Sequence, residues 1–202
     1  VEGQENIYYA SGKNKDQVNA MPQMDLVKGK GYDVLVLTDD VDEFMLQIMQ
    51  EYDKKKFKSI NQGDLDLIDK AEEEKIKEIQ EDKKSLLEKM KEVLGDKVSD
   101  VIISKRLTDS PVCLVSSDGL SFEMQKTLDK IPNNQGLKAD KILELNPKHK
   151  LFESLENLFN DNDPALSDYI NLLYDQALLI EGFPIENPVE FSNKMCELMI
   201  KA

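Results

Sequence analysis

With 202 residues, 40% of them hydrophobic, the chain is long enough for one or two domains with a true core. Its 40 acidic residues against 26 basic give a formal charge of -14, which opposes nucleic acid and anionic lipid as partners and favours solubility. Cys113 and Cys196 match no metal or redox spacing, and no signal peptide or membrane-spanning run is evident, so the chain reads as a reduced, cytoplasmic protein.

Val1 to Asn6 carry no initiator Met and lead straight into a strand, as in a segment of something longer. Ile7 to Ala10 reads as that strand, followed by a Ser11-Gly12 turn and a helix from about Lys15 to Lys28, stopped by Gly29 and Gly31. The continuous apolar run Val34 to Leu37 reads as a second strand covered on both faces, parallel to the first through the helical crossover. A helix from about Val41 to Tyr52 then opens with Asp40 as its cap and Glu43 three residues on.

The acidic cluster Asp39, Asp40 and Asp42 lies past the carboxyl end of a parallel strand, an edge where such sheets bind ligands and magnesium. The completed capping spacing is the better account of it, because no partner carboxylates or Lys from neighbouring strand ends can be named. Gly29-Lys30-Gly31 follows a helix and precedes a strand, the reverse of the order a phosphate loop needs.

From Lys54 the composition turns to charge, with Lys55, Lys56 and Lys58 and then polar residues to Gly63, which marks a domain boundary. Asp64 to Leu94 reads as one or two amphipathic helices with a narrow stripe of Leu65, Ile68, Ile76, Ile79, Leu86, Met90 and Val93, interrupted near Asp82 and Lys83. Their expected role is to connect the two parts of the chain and to pack on the second. Val98 to Leu107 and Val112 to Ser116 are β-branched and suit an antiparallel hairpin across Thr108-Asp109-Ser110-Pro111, with Lys141 to Leu145 as a third strand. A helix from Leu120 to Ile131 carries Leu120, Met124, Leu128 and Ile131 on one stripe, while Phe122 points away from it toward solvent, a cleft or a neighbouring loop. Pro132 and Asn133-Asn134-Gln135-Gly136 end it. His149, the only His, stands at the start of a helix from Lys148 to Phe159 and reads as a cap. Asn160 to Asp163 matches a calcium loop for four residues only and reads as a turn.

The chain ends in two apolar helices. Asp163 and Pro164 open the first, whose Leu166, Tyr169, Ile170, Leu172, Leu173, Tyr174, Ala177, Leu178, Leu179 and Ile180 cover most of its circumference, and Gly182 closes it. Asn187, Pro188 and Glu190 open the second, with Phe191, Met195, Leu198 and Met199 at helical spacing. So much apolar surface needs two burial partners: half of a four-helix interface completed by a second copy, or the chain's own domain. The interface reading places Leu166, Tyr169, Ile170, Leu173, Ala177, Phe191, Met195 and Leu198 against the partner. No nucleophile with a base and an orienting group can be assembled, so nothing reads as catalytic.

Val34 to Leu46 (Val-Leu-Val-Leu-Thr-Asp-Asp-Val-Asp-Glu-Phe-Met-Leu), Arg106-Leu-Thr-Asp-Ser-Pro111, Leu145-Asn-Pro147 and Leu172-Leu-Tyr-Asp-Gln-Ala-Leu-Leu179 occur in order across nearly the whole chain. Together they resemble the ninety-kilodalton heat-shock chaperone family in its bacterial HtpG form. The resemblance implies an α+β fold: a small α/β layer that ends the family's middle domain (1–60), a connecting helical segment (61–95), and a C-terminal dimerisation domain (96–202) built on a three-stranded sheet with helices. It implies a homodimer that binds unfolded or partly folded client proteins, with the ATP and magnesium site in an upstream domain and no cofactor in this chain. It also implies client contacts from Leu120, Phe122, Met124 and Leu128, helped by Phe44 with Gln47 one turn beyond. No acidic pentapeptide ends the tail, so recruitment of tetratricopeptide co-chaperones is not expected.

Overall fold

The computed structural model describes residues 4–132 and 136–201, and the loop expected at Asn133, Asn134 and Gln135 lies outside them. The fold is α+β, as expected, with two sheets and two main cores.

The first unit runs β1 (Asn6–Ser11), α1 (Lys15–Asn19), α2 (Met24–Gly29), β2 (Val34–Leu37), α3 (Asp42–Met49), β3 (Glu51–Tyr52) and β4 (Lys55–Ser59). Its strands lie in the order β2-β1-β4-β3, with β1 parallel to both β2 and β4 and β3 antiparallel to β4. The two helices and the turn between them bury Val18, Met21, Met24 and Val27 against Tyr8 and Ala10, and Ile60 and Leu65 close the same core.

Four expectations are corrected here. The single helix from Lys15 to Lys28 is two, because Pro22 has no amide to donate and holds the residue before it out of the helical region. The apolar strand β2 is an edge strand with Leu35 46% exposed, so one face is open. The box of Asp40 and Glu43 does not form: Asp42 Oδ2 accepts the Asp39 amide at 3.1 Å, and Glu43 turns inward, where Ser121 Oγ donates to its carboxylate. The lysine-rich stretch read as the start of a boundary lies inside the first sheet. It is β4, joined to β3 by Asp53 and Lys54, which both have positive φ (48° and 63°), the conformation of a tight two-residue hairpin turn.

The second unit runs α4 (Lys70–Asp82), α5 (Lys84–Leu94), β5 (Asp100–Ile103), β6 (Val112–Ser116), α6 (Phe122–Asp129), β7 (Lys141–Leu145), α7 (Lys150–Asn160), α8 (Leu166–Ile180) and α9 (Pro188–Lys201). The break between α4 and α5 falls at Lys83, whose Nζ reaches Asp82 and Glu156, both at 2.7 Å. The stripe of α5 (Leu86, Leu87, Met90 and Leu94) enters the large core with Val101, Leu143, Ile170 and Leu173, so this helix does pack on the second part of the chain.

The expected β5–β6 hairpin does not form. The order is β5-β7-β6: β7 lies between them, parallel to β5 and antiparallel to β6. The connection from Ser104 to Pro111 crosses the end of β7, where Asn146 Nδ2 donates to Thr108 O and Ser110 O at 3.0 Å each. Its Arg106 is 3% exposed, and its Nε donates to Glu144 on that central strand at 3.1–3.2 Å.

His149 caps α7, its Nδ1 accepting the Leu151 amide at 3.1 Å. Asp163 accepts from the Ala165 amide at 2.8 Å ahead of α8, and Asn187 and Glu190 exchange bonds at the start of α9. Gly182, at φ 76°, lets the chain turn so that the Phe183 amide reaches Leu178 O at 2.9 Å.

Candidate interaction surfaces

The first surface is α8 with α9. Leu166, Ile170, Leu172, Leu173, Tyr174, Ala177 and Leu178 are all at most 7% exposed, packed against α5, β6 and α7 of their own chain. The expectation that Leu166, Ile170, Leu173 and Ala177 face a partner is therefore corrected: the chain's own sheet and helices supply both surfaces that α8 needs. Tyr169 is partly buried against the same core.

Helix α9 differs. It is tied to α8 by Lys194, whose Nζ lies 2.9 Å from Asp168 and 3.0 Å from Glu190, and Phe191 and Leu198 are half-buried. Its other side carries Val189 (70% exposed), Met195 (36%), Met199 (70%) and Ile200 (85%), and Leu179 near the end of α8 is 50% exposed. Apolar side chains grouped this way on one terminal helix mark a surface that gains by being covered. Val189 and Ile200 are the residues that sequence reasoning missed. The signal was their place beside the Met195 and Met199 stripe.

The second surface brings α3 of the first unit against α6 of the second. Ser121 caps α6 by accepting the Met124 amide at 3.1 Å while it donates to Glu43. Burial pushes the Glu43 carboxyl up from its ordinary value, and Ser121 partly opposes that. At the mouth Lys130 Nζ pairs with Asp40 at 2.6 Å. Between them lies a cleft of about 310 Å³ lined by Thr38, Asp39, Met124, Thr127 and Gly182. Asp42 thus holds the Asp39 amide ahead of α3 and Asp40 makes an ion pair, and among the described residues no group of three or more His, Cys, Asp or Glu could hold a metal.

Phe44 is half-buried and Gln47 exposed, so both are open to a partner. Phe122 is not: it is 2% exposed and stacks edge-on with Phe183 at 5.4 Å between centroids. The outward-facing alternative for Phe122 is corrected. Its side chain fills the space under the Phe183 connection, where an aromatic edge-to-face pair is favourable. Leu120 packs partly on the main core, while Met124 and Leu128 are half-buried. Sequence reasoning overlooked Val41 (68% exposed), Met45 (47%), Ile48 (84%) and Met49 (45%), which with Phe44 line a wholly apolar hollow on α3. Their spacing of i, i+4, i+7 and i+8 was a readable stripe.

Burial pushes the Cys113 thiol up, with Glu144 adding to the effect, so it is held as a thiol. No described helix is long and apolar enough to cross a membrane.

The arrangement is a small, mainly parallel layer joined to a three-stranded sheet and ending in a terminal helix seated on one face only. The family model described as Hsp90 protein matches residues 1–202. Chaperone protein HtpG of Bacillus subtilis is 47% identical over 200 residues, covering 98% of this chain and 32% of that relative. The Clostridium perfringens (strain 13) protein of the same name is 47% identical over 199 residues, and that of Alkaliphilus oremlandii 46% over 200, with the same coverage. The chain belongs to the Hsp90 family, in its bacterial HtpG type, and spans about a third of the length of the curated relatives it matches.

Proposed function

We propose that this chain is the dimerisation and client-binding portion of an ATP-dependent cytoplasmic chaperone that assists the folding of other proteins. Residues up to about Ile60 form the end of the middle domain, 61–95 connect, and 96–202 form the dimerisation domain. Nucleotide chemistry belongs to a part of the parent that precedes this chain.

The observation that carries the reading is α9, seated on α8 by one face and apolar on the other at Val189, Met195, Met199 and Ile200. A second copy supplies the same face by two-fold symmetry, which makes the contact self-complementary. Phe191 and Leu198 frame it. The client surface is α3 with the adjoining α6: Phe44, Met45, Ile48 and Met49 with Gln47, Met124 and Leu128. Flexible thioethers on such a surface adapt to varied apolar segments, and Asp39, Asp40, Asp42 and Glu51 around it favour basic ones.

Two measurements test the proposal. Light scattering at tens of micromolar should give twice the chain mass of 23.1 kDa. Fluorescence anisotropy with a labelled, unfolded model protein should show saturable binding that Met45→Ser with Ile48→Ser weakens. A monomer would overturn the dimerisation half. A dimer with no client binding would leave a purely structural homodimerisation module.

A further inference from the structure

Lys54, Lys55, Lys56 and Lys58 crowd onto the β3–β4 hairpin of a chain whose formal charge is -14. Among the described residues only Lys58 has a carboxylate partner, Asp66. Acids are plentiful enough to pair lysines elsewhere, as at Lys83, Lys105, Lys126 and Lys194. The three unpaired neighbours repel one another instead, and they give this end of the first sheet a positive field.

The backbone at the tip adds an independent observation. Asp53 and Lys54 form a two-residue turn with φ of 48° and 63°. Both places need a left-handed backbone, which favours aspartate or asparagine first and glycine second. Asp53 fits. Lys54 stands where glycine belongs, and there its Cβ crowds the following carbonyl. Glycine would make the turn more stable, so the lysine at that place works against folding and calls for a use outside it.

The surroundings show what could dock. Tyr52, 67% exposed, lies across the ladder from Lys55. Beside the tip is an open hollow of about 810 Å³ lined by Asn6, Lys54, Lys55, Lys56, Phe57 and Lys58. Glu5, Asp53 and Asp66 also border it, so the lysines stand as separate charges and not as an unbroken positive strip. Asn6 opens β1 and pairs with Lys56, which puts the hollow at the amino ends of the parallel strands, away from Asp39 and Asp40 at the carboxyl end of β2.

We propose that the β3–β4 hairpin is a docking site for an extended acidic segment of another protein, whose carboxylates engage Lys54, Lys55 and Lys56 while an apolar side chain rests on Tyr52. Charge complementarity selects the acidic segment. The net charge of the chain repels a long polyanion or an anionic lipid surface, whereas a short segment feels mainly the charges within a Debye length, roughly 8 Å. Tyr52 supplies the aromatic anchor common at protein–protein contacts. The site is distinct from the apolar hollow on α3 and selects the opposite charge, so it stands whether or not α3 binds clients.

Fluorescence anisotropy with a labelled peptide of four glutamates around one leucine, at about 30 mM salt, should show saturable binding that weakens as salt is added. Lys54→Gly gives two readings at once. Relief of the left-handed turn should raise Tm by about 2–4 °C, while loss of one charge should weaken the peptide by about two- to fivefold. Lys55→Gln with Lys56→Gln should weaken it by about tenfold at unchanged Tm. Met45→Ser with Ile48→Ser should leave its Kd as it was. Single-stranded DNA of equal charge and phosphatidylserine vesicles should not displace it. No saturable binding overturns the site, and so does a Lys54→Gly chain that gains Tm with an unchanged Kd. Displacement by DNA or vesicles overturns the assignment to a protein segment, and a Kd that shifts in the α3 double variant overturns its separation from that surface.

Discussion

Replacing Ile200 by Ser separates the proposed partner-facing surface from the chain's own core. Ile200 is 85% exposed in the single chain, so its apolar side chain contributes almost nothing to the folded monomer. Covered by a second copy, it would gain about 2 kcal/mol of burial. Two-fold symmetry makes the loss count twice, about 4 kcal/mol, or roughly a thousandfold in Kd. Sedimentation equilibrium over a range of loading concentrations measures that shift directly, and the Tm of the diluted, monomeric chain should stay put. Leu173→Ala supplies the contrast. Leu173 is 5% exposed and packed among α5 and β6, so truncation should cost about 3 kcal/mol of stability, about 10 °C in Tm, by leaving a cavity. An unchanged dimer constant in Ile200→Ser would refute the assignment of α9 to the partner. So would dissociation by Leu173→Ala with no loss of Tm, since it would return α8 to the interface.

Other outcomes rest on the same contacts. Phe122→Ala should lower stability by about 3–5 kcal/mol in urea unfolding, whereas Phe44→Ser should weaken client binding with little change in the urea midpoint. Arg106→Met should cost about 3–5 kcal/mol by stranding the buried Glu144 carboxylate, and adding Glu144→Leu should recover part of it in a double-mutant cycle. This chain alone should give no saturable heat with ATP and magnesium in calorimetry, because Gly29-Lys30-Gly31 ends a helix rather than opening one.

What could be read from the sequence was local. The caps at His149 and Asn187, the stop at Gly182 and the break near Lys83 each rest on a few adjacent residues, the parallel pairing of β1 with β2 on one strand-helix-strand run, and the structure shows all of them. The β3–β4 hairpin was hidden because Asp53 and Lys54 adopt positive φ without a glycine to announce it. β4 was hidden because its lysines look like a solvated boundary segment, while Lys56 to Ser59 pair with Asn6 to Tyr9 of β1. Placing β7 between β5 and β6 depends on long-range ladders, such as Val101 with Leu143 and Leu114 with Leu143, that no short window of sequence contains. For the candidate surfaces, periodicity counted the apolar residues of α8 correctly but could not say who covers them. The chain itself covers most of α8, and Phe122 as well.

The half-seated arrangement of α9 has an evolutionary consequence. Residues that build α8 and the sheet are screened by folding itself, because any poor substitution there opens a cavity. Val189, Met199 and Ile200 escape that screen, since the monomer tolerates nearly any side chain at positions so exposed. In the proposed dimer, only pairing disciplines them. A duplicated copy could therefore drift at three or four positions of one terminal helix and acquire a private partner, sorting two populations of the chain in one cell without disturbing either fold.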